Sequence, residues 1–263
     1  MGHEDSADQK WSQYILKELL TTGQVTVEVL SADLDVSPST IRRALRELEA
    51  RGLLRRTHGG AVPVEPALYE PFRHVSSFGE QEQQCTAEKR HIGLAAAEMI
   101  ANGEVVGIGA GTTTTQIARS LRHRKNITIV TNAVNIAMEL SHRDDLKVFM
   151  SGGFLSPDWF ALVGPTAIQS VSEMFVDKVF VGVDGIHPEH GLTTNYPDQA
   201  AIHRQMMRQA RCRVVVADHR KLGVTGTTLI WPAAEIDLLI TDKGATKAAL
   251  SPFISKGIKV QKV

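Results

Sequence analysis

The chain has 263 residues, 29 Lys plus Arg against 29 Asp plus Glu, and 43% hydrophobic residues, which is enough globular material for two domains and excludes a wholly disordered, collagen-like or low-complexity chain. A formal net charge of +0 argues against a nonspecific polyanion binder, and Cys85 and Cys212 are too few for a disulfide framework. No apolar run approaches the roughly 18 residues of a membrane span, and the first residues lack the basic and then apolar segments of a signal peptide, so a cytoplasmic chain with free thiols is expected, with no membrane partner.

Trp11, Ile15, Leu16, Leu19 and Leu20 recur at helical spacing, and Gly23 ends that first helix. A short second helix is expected over 27–34, with Val27, Leu30 and Leu34 turned inward. Asp35-Val36-Ser37-Pro38 then reads as a tight turn and a new start, because Ser37 supplies an N-cap oxygen and Pro38 suits the first helical position. The third helix runs to residue 50 or 51 with Ile41, Leu45 and Leu48 as its buried stripe. Ser39, Thr40, Arg42, Arg43 and Arg46 project from its other faces near the N-terminal half. Two helices joined by a short turn, the second opening on hydroxylated residues and arginine, form a helix-turn-helix, whose second helix meets base edges with its N-terminal side chains. Residues 53–62 add two short extended segments about the Gly59-Gly60 pair, a wing carrying Arg55, Arg56 and His58 toward phosphates. Over 37–62, six arginines (42, 43, 46, 51, 55, 56) face Glu47 and Glu49, a local +4 inside a neutral chain. The expected partner of residues 1–62 is double-stranded operator DNA, contacted by Ser37, Ser39, Thr40, Arg42, Arg43, Arg46, Arg55, Arg56 and His58.

Pro63, Pro66 and Pro71, followed by Glu80-Gln81-Glu82-Gln83-Gln84, mark a linker over 63–86. From 87 to 263 helical periods alternate with apolar runs: helices over 87–101, 114–121, 133–140 and 199–209, strands over 105–109, 127–131, 147–151, 178–183, 214–217 and 236–240. Such alternation predicts a mainly parallel α/β sheet. Ligands of these sheets gather beyond the carboxyl ends of strands, and polar, glycine-rich segments fall there repeatedly. Gly109, Gly111 and the run Thr112, Thr113, Thr114, Thr115 follow the first strand and open a helix, where amides and hydroxyls can surround a phosphate. Asn132 and Asn135 follow the second strand, Gly152 and Gly153 the third, and Asp184 the fourth, while Thr194, Asn195 and Lys221 complete the rim. Together they point to a pocket for an anionic polyol. A dinucleotide is not expected, because the third glycine of its fingerprint would fall at Thr114 and no acid ends the next strand. No Gly-Lys-Ser/Thr loop is present, and His187 and His190 share a loop without a Cys or carboxylate set at ligand spacing, so neither an NTPase nor a metal site is expected.

Leu30-Ser31, the run 36–49 and the run Gly52 to Ala61 closely resemble the DeoR family of bacterial transcription regulators. One departure is Ala44, where the family usually has Asp. The resemblance continues through Glu88-Lys89, 109–115, 130–135, 151–153, 163–165, 182–186, 191–194 and 218–221, which look like the sensor domain of that family. It implies a fold similar to ribose-5-phosphate isomerase, a phosphorylated sugar as effector with no other cofactor, and a repressor of sugar-metabolism genes relieved by that effector. A second departure is Gln199, where many relatives carry Glu. The competing reading is a sugar-phosphate isomerase with an appended DNA module, using Asp184 as base and Lys221 as electrophile. Because one winged unit reads only a few base pairs, a homodimer or homotetramer is expected.

Overall fold

A computed structural model describes residues 4–50, 53–63, 77–121 and 124–263. Arg51, Gly52, Pro66 and Pro71, named above, lie outside these residues, as do the side chains of residues 4–10 and Leu20. The chain divides into two compact units, Met1–Ala67 and Leu68–Val263.

The first unit runs α1 (Glu4–Thr22), β1 (Val25–Thr26), α2 (Val27–Leu34), α3 (Pro38–Ala50), β2 (Arg55–Arg56) and β3 (Gly60–Val62). Its core is one cluster of Ile15, Leu16, Leu19, Leu30, Ile41, Leu45, Leu48 and Leu54, closed by Val25, Val27 and Ala61. The apolar stripe of α3 is thus spent inward, which leaves its arginines on the outside. Gly23 (φ 79°) receives the helix end, its N–H donating to Leu19 O at 2.9 Å. The Thr26 hydroxyl caps α2 by accepting from Val29 N at 3.3 Å, and Ser37 Oγ caps α3 by accepting from Thr40 N at 3.3 Å. The strands form an antiparallel sheet in the order β1-β3-β2, in which Val25 opposes Ala61 and Arg56 opposes Ala61 from the other side. β1 carries no sequence signal because two residues are too few for a period. Gly60 is required by close approach: a Cβ there would lie 1.8 Å from Val25 O. The wing therefore turns at 57–59, with Thr57 N donating to Gly60 O at 2.9 Å, and Gly60 itself belongs to the strand.

The second unit continues α4 (Ser77–Gln83), α5 (Thr86–Glu98), β4 (Val105–Ile108), α6 (Thr112–Ser120), β5 (Ile127–Thr131), α7 (Val134–Leu140) and β6 (Leu146–Met150). A hairpin of β7 (Phe154–Ser156) and β8 (Ala161–Val163) leads to α8 (Pro165–Ser172) and β9 (Val176–Val181). Then come β10 (Gly185–His187), β11 (Gly191–Thr194), α9 (Pro197–Arg208), β12 (Ala210–Val216), β13 (Thr228–Trp231), β14 (Leu238–Thr241), α10 (Lys247–Ser255) and β15 (Val260–Lys262). Seven strands make an all-parallel sheet in the order β15-β14-β12-β9-β4-β5-β6. Their apolar runs are buried in one core that also takes Phe78, Ile92, Ile117, Ile136, Ile202 and Phe253 from the helices. After β4 the chain steps outward through β5 to β6, and the later strands build on the opposite side of β4 from β9 onward, so the topological switch lies between β4 and β9. A smaller antiparallel sheet, β10-β11-β13, completes the unit.

One expectation changes here. Residues 77–83, read as linker for their Gln/Glu content, form α4, whose Phe78 is fully buried and meets the Phe160 ring edge-on at 5.3 Å. A single aromatic anchors a helix whose other residues are polar, which composition alone hides.

Candidate functional site

On the first unit, Ser37, Ser39, Arg42, Arg43 and Arg46 are exposed along the start of α3, with Thr40 half-buried among them. Ser37 Oγ lies 2.7 Å from Ser39 Oγ and 2.9 Å from Thr40 Oγ1, so the hydroxyls form one local network at the helix start. Arg46 Nε donates to Arg42 O at 3.4 Å, and Arg43 pairs with Glu47 at 3.9 Å across a solvated helix turn. Arg55, Arg56 and His58 are exposed on the wing. Arg56 differs from its neighbour: its N–H donates to Glu49 Oε1 at 2.8 Å and its guanidinium lies 3.6 Å from Glu49 Oε2, tying β2 to the end of α3. α3 thus exposes hydroxyls and arginines along its N-terminal half, and the wing tied to its other end exposes further cations, the residue types a duplex reader needs.

In the second unit a pocket opens at the carboxyl ends of β4, β9 and β12, three neighbouring strands that include the switch point. β4 contributes Ala110, Gly111, Thr112 and Thr113, the last two at the N-terminus of α6. β9 contributes Gly182, Val183 and Asp184, and β12 contributes Val216, Ala217, Asp218 and Lys221. Thr194 and Gln199 line it from β11 and α9, Trp159 from the turn Pro157–Trp159, and Gln81 and Lys89 from α4 and α5. Gln199 Nε2 donates to Ala110 O at 3.4 Å, and Thr194 Oγ1 donates to Asp184 Oδ2 at 2.8 Å. The Trp159 indole N–H is buried without a hydrogen-bond partner among the described residues.

Of the sequence-predicted residues, Gly111, Thr112, Thr113, Asp184, Thr194 and Lys221 are brought together in this pocket. The others do not line it. Thr114 Oγ1 and Thr115 Oγ1 both donate back to Gly111 O, at 2.9 and 2.8 Å. Asn132 Oδ1 accepts from Ala110 N at 3.0 Å while its amide donates to Leu162 O, and Asn135 Nδ2 donates to Thr115 Oγ1 at 2.8 Å. These two asparagines brace the Gly109–Thr115 loop instead of facing a ligand. Gly109 is a packing position, where a Cβ would lie 2.8 Å from His203 Nε2. Gly152 and Gly153 bridge β6 and the β7 hairpin away from the pocket lining, and Asn195 fastens 226–227 by accepting from Thr227 N at 3.2 Å.

The site also holds Lys89, which the sequence showed only within the Glu88-Lys89 match, and Asp218, which opens the rim segment 218–221 that ends on Lys221. Lys89, only 2% exposed, donates through Nζ to Gln81 O. Burial pushes its pKa down to about 8, against the pull of Asp218 and with a further push from Arg220 and Lys221. Helical periodicity offers no sign of it, because a lysine on a helix is ordinarily solvated. Asp218 is buried and accepts from Arg220 Nε at 3.0 Å. Cys85, Asp218 and His219 bring ligand-type atoms within 4.8 Å of one another. The Asp218 carboxylate is committed to Arg220, however, and Lys89 and Lys221 stand close by, so the field of this corner suits an anion.

Comparison with known proteins matches both units. The DeoR-like helix-turn-helix domain model covers residues 12–67, and the DeoR C terminal sensor domain model covers residues 84–243. The HTH-type transcriptional regulator GlpR of Haloferax volcanii is 40% identical over 235 residues, 89% of this chain and 90% of its own. The HTH-type transcriptional repressor GlcR of Bacillus subtilis is 33% identical over 246 residues, 94% and 93% of the two chains. Among solved structures, a ribose-5-phosphate isomerase in complex with phospho-erythronic acid aligns with 51% of this chain and 52% of its own at a TM-score of 0.38 and 17% identity. The isomerase reading is set aside: the relatives along the whole chain are regulators, and the Asp184 carboxylate is already bonded by Thr194 Oγ1 and Asn195 N. With both of its units matched, this chain belongs to the DeoR family and is a DNA-binding transcription regulator carrying a C-terminal sensor domain.

Proposed function

We propose that the protein is a repressor of sugar-metabolism genes whose second unit binds a phosphorylated sugar and thereby weakens operator binding. The observation that supports this most is the joining of an α6 N-terminus, Thr112 and Thr113, with Lys89 and Lys221 in a single pocket. A dianion leaving water must be met by several donors and preferably a cation, and the dipole of α6 adds to both. Asp184, Thr194 and Gln199 offer acceptors and donors suited to sugar hydroxyls. Relief of repression then requires that the effector bind one arrangement of the DNA-binding units better than another. Acting on operator DNA, the protein works in the cytoplasm as a homodimer or homotetramer. A thermal-shift screen of phosphorylated sugars, with each hit titrated into an operator complex, tests the reading. Stabilising sugars that release the DNA support it, and stabilisation by no phosphorylated sugar refutes it.

A further inference from the structure

Trp159 carries a donor that the rest of the fold does not satisfy. The residue is 8% exposed, and its indole N–H is enclosed without a hydrogen-bond partner among the described residues. Asn135, His203, Trp231 and Thr241 also bury unpartnered polar atoms, but of these five residues Trp159 alone lines the pocket. An indole N–H donates and never accepts. When buried it ordinarily finds an acceptor, and an unmet one weighs against the state that buries it.

The mounting of Trp159 is firm. It ends the turn Pro157–Trp159 between β7 and β8, and the residues after it are pinned to the start of α7: Val134 N donates to Phe160 O at 2.8 Å, and Leu162 N donates to Asn132 O at 2.7 Å. Asn132 also accepts from Ala110 N at 3.0 Å, so the hairpin and the loop after β4 share one brace. The Trp159 ring meets the Tyr196 ring edge-on at 5.3 Å. Tyr196 N donates to Thr194 Oγ1 at 3.3 Å, and that hydroxyl donates to Asp184 Oδ2 at 2.8 Å. Trp159 is thereby joined to the side of the pocket whose polar groups suit hydroxyls.

We propose that the Trp159 indole N–H is an effector-binding donor, which meets an oxygen of the sugar on the Thr194 and Asp184 side while Thr112, Thr113, Lys89 and Lys221 hold the phosphate. This rests on the sugar-phosphate reading of the pocket and adds a residue to it. The N–H is already desolvated and held in place, so little is lost in solvation or freedom when the bond forms. It also sets a chemical requirement: a sugar presenting an acceptor oxygen there is selected over a deoxy analogue, which leaves the donor unmet.

The test uses the full-length protein with nitrogen-15 in its tryptophans, which gives three indole signals, from Trp11, Trp159 and Trp231. Trp11→Phe and Trp231→Phe assign the Trp159 signal by elimination. The probes are ribose 5-phosphate, fructose 6-phosphate, glucose 6-phosphate and glucosamine 6-phosphate, with inorganic phosphate as the control. Those sugar phosphates that bind should move the Trp159 indole proton downfield, the direction of a hydrogen bond formed, and inorganic phosphate should leave it in place. Trp159→Phe, which keeps an aromatic ring and removes the donor, should weaken them about tenfold. A sugar phosphate that binds without moving the signal, or binds Trp159→Phe as tightly as wild type, overturns the proposal and leaves the sugar-phosphate reading standing. Movement of the signal by inorganic phosphate overturns the placement against the sugar. Binding of none of the four sugars is the failure of the sugar-phosphate reading itself, and the proposal falls with it. Should Trp159→Phe fail to fold, the wild-type signal decides alone.

Discussion

Lys89 is a buried cation in the lining of the pocket. Its pKa, pushed down to about 8 by burial, lies below the ordinary value of 10.5. A lysine with a depressed folded-state pKa contributes stability above its unfolded value, and that contribution is lost as pH falls through about 8, where the buried amine must charge. An arriving anion reverses this by favouring the charged amine, so effector binding near about pH 8.5 should take up a fraction of a proton. Calorimetry in two buffers of different ionisation enthalpy measures that uptake, and Lys89→Met should abolish it; identical heats in both buffers for the wild type contradict this role. His203 behaves alike, and burial is again the cause. It is fully buried with both ring nitrogens unpartnered among the described residues, and burial holds its pKa down to about 4 against the pull of Asp184. Its contribution to stability is present above the usual 6.5 and drains away as pH falls through about 4. His203→Met should flatten the acid limb of the stability curve between those values, measured as urea midpoints, whereas an unchanged limb places the acid sensitivity elsewhere. The polar residues ending the strands were legible in the sequence. Their division into pocket and brace was not, since Asn132 and Asn135 have the same chemistry whether they meet a hydroxyl of a ligand or an N–H and a hydroxyl of the chain.

At the scale of elements, α3 and the wing divide the work of DNA binding. Arg42→Ala should relax discrimination at particular base pairs by about 1–3 kcal/mol, because the side chain leaves the exposed face of α3 near its N-terminal half. Arg55→Ala on β2 should weaken all sequences alike and lower the salt slope by about one phosphate. Competition binding on a panel of single-base operator variants, repeated at several salt concentrations, separates the two; matching selectivity profiles for both variants would remove the division. Arg56→Ala carries a second effect, since it removes the guanidinium contact to Glu49 Oε2 and weakens the tie between the wing and α3, while the main-chain N–H bond to Glu49 Oε1 remains. Helices α2 and α3 and the strands β4, β5 and β6 follow patterns that are strong in sequence, an i, i+4 stripe or a continuous apolar run. The antiparallel sheet β10-β11-β13 was hidden, because its strands have three or four residues each and β13 joins β11 from far along the chain, with a register shift between Leu192 and Thr193. α4 was hidden for the reason that now gives it interest: its polar residues serve the pocket cations, and only Phe78 and Gly79 are buried.

For the whole molecule, the claim is that an anion site in one unit governs DNA binding by another on the same chain. Two half-sites about one helical turn apart, or a multiple of it, are what a regulator of this class reads, so light scattering at micromolar concentration should return a dimer or tetramer, and a monomer footprinting one short site would contradict that. The central claim is tested most directly by calorimetry of one sugar offered with and without its phosphate, on wild type and on Thr113→Val. The account predicts that the phosphate carries most of the affinity and that Thr113→Val costs the phosphorylated sugar more than about 1.5 kcal/mol while operator affinity without ligand stays as it was. Equal affinity for the two forms of the sugar would contradict it.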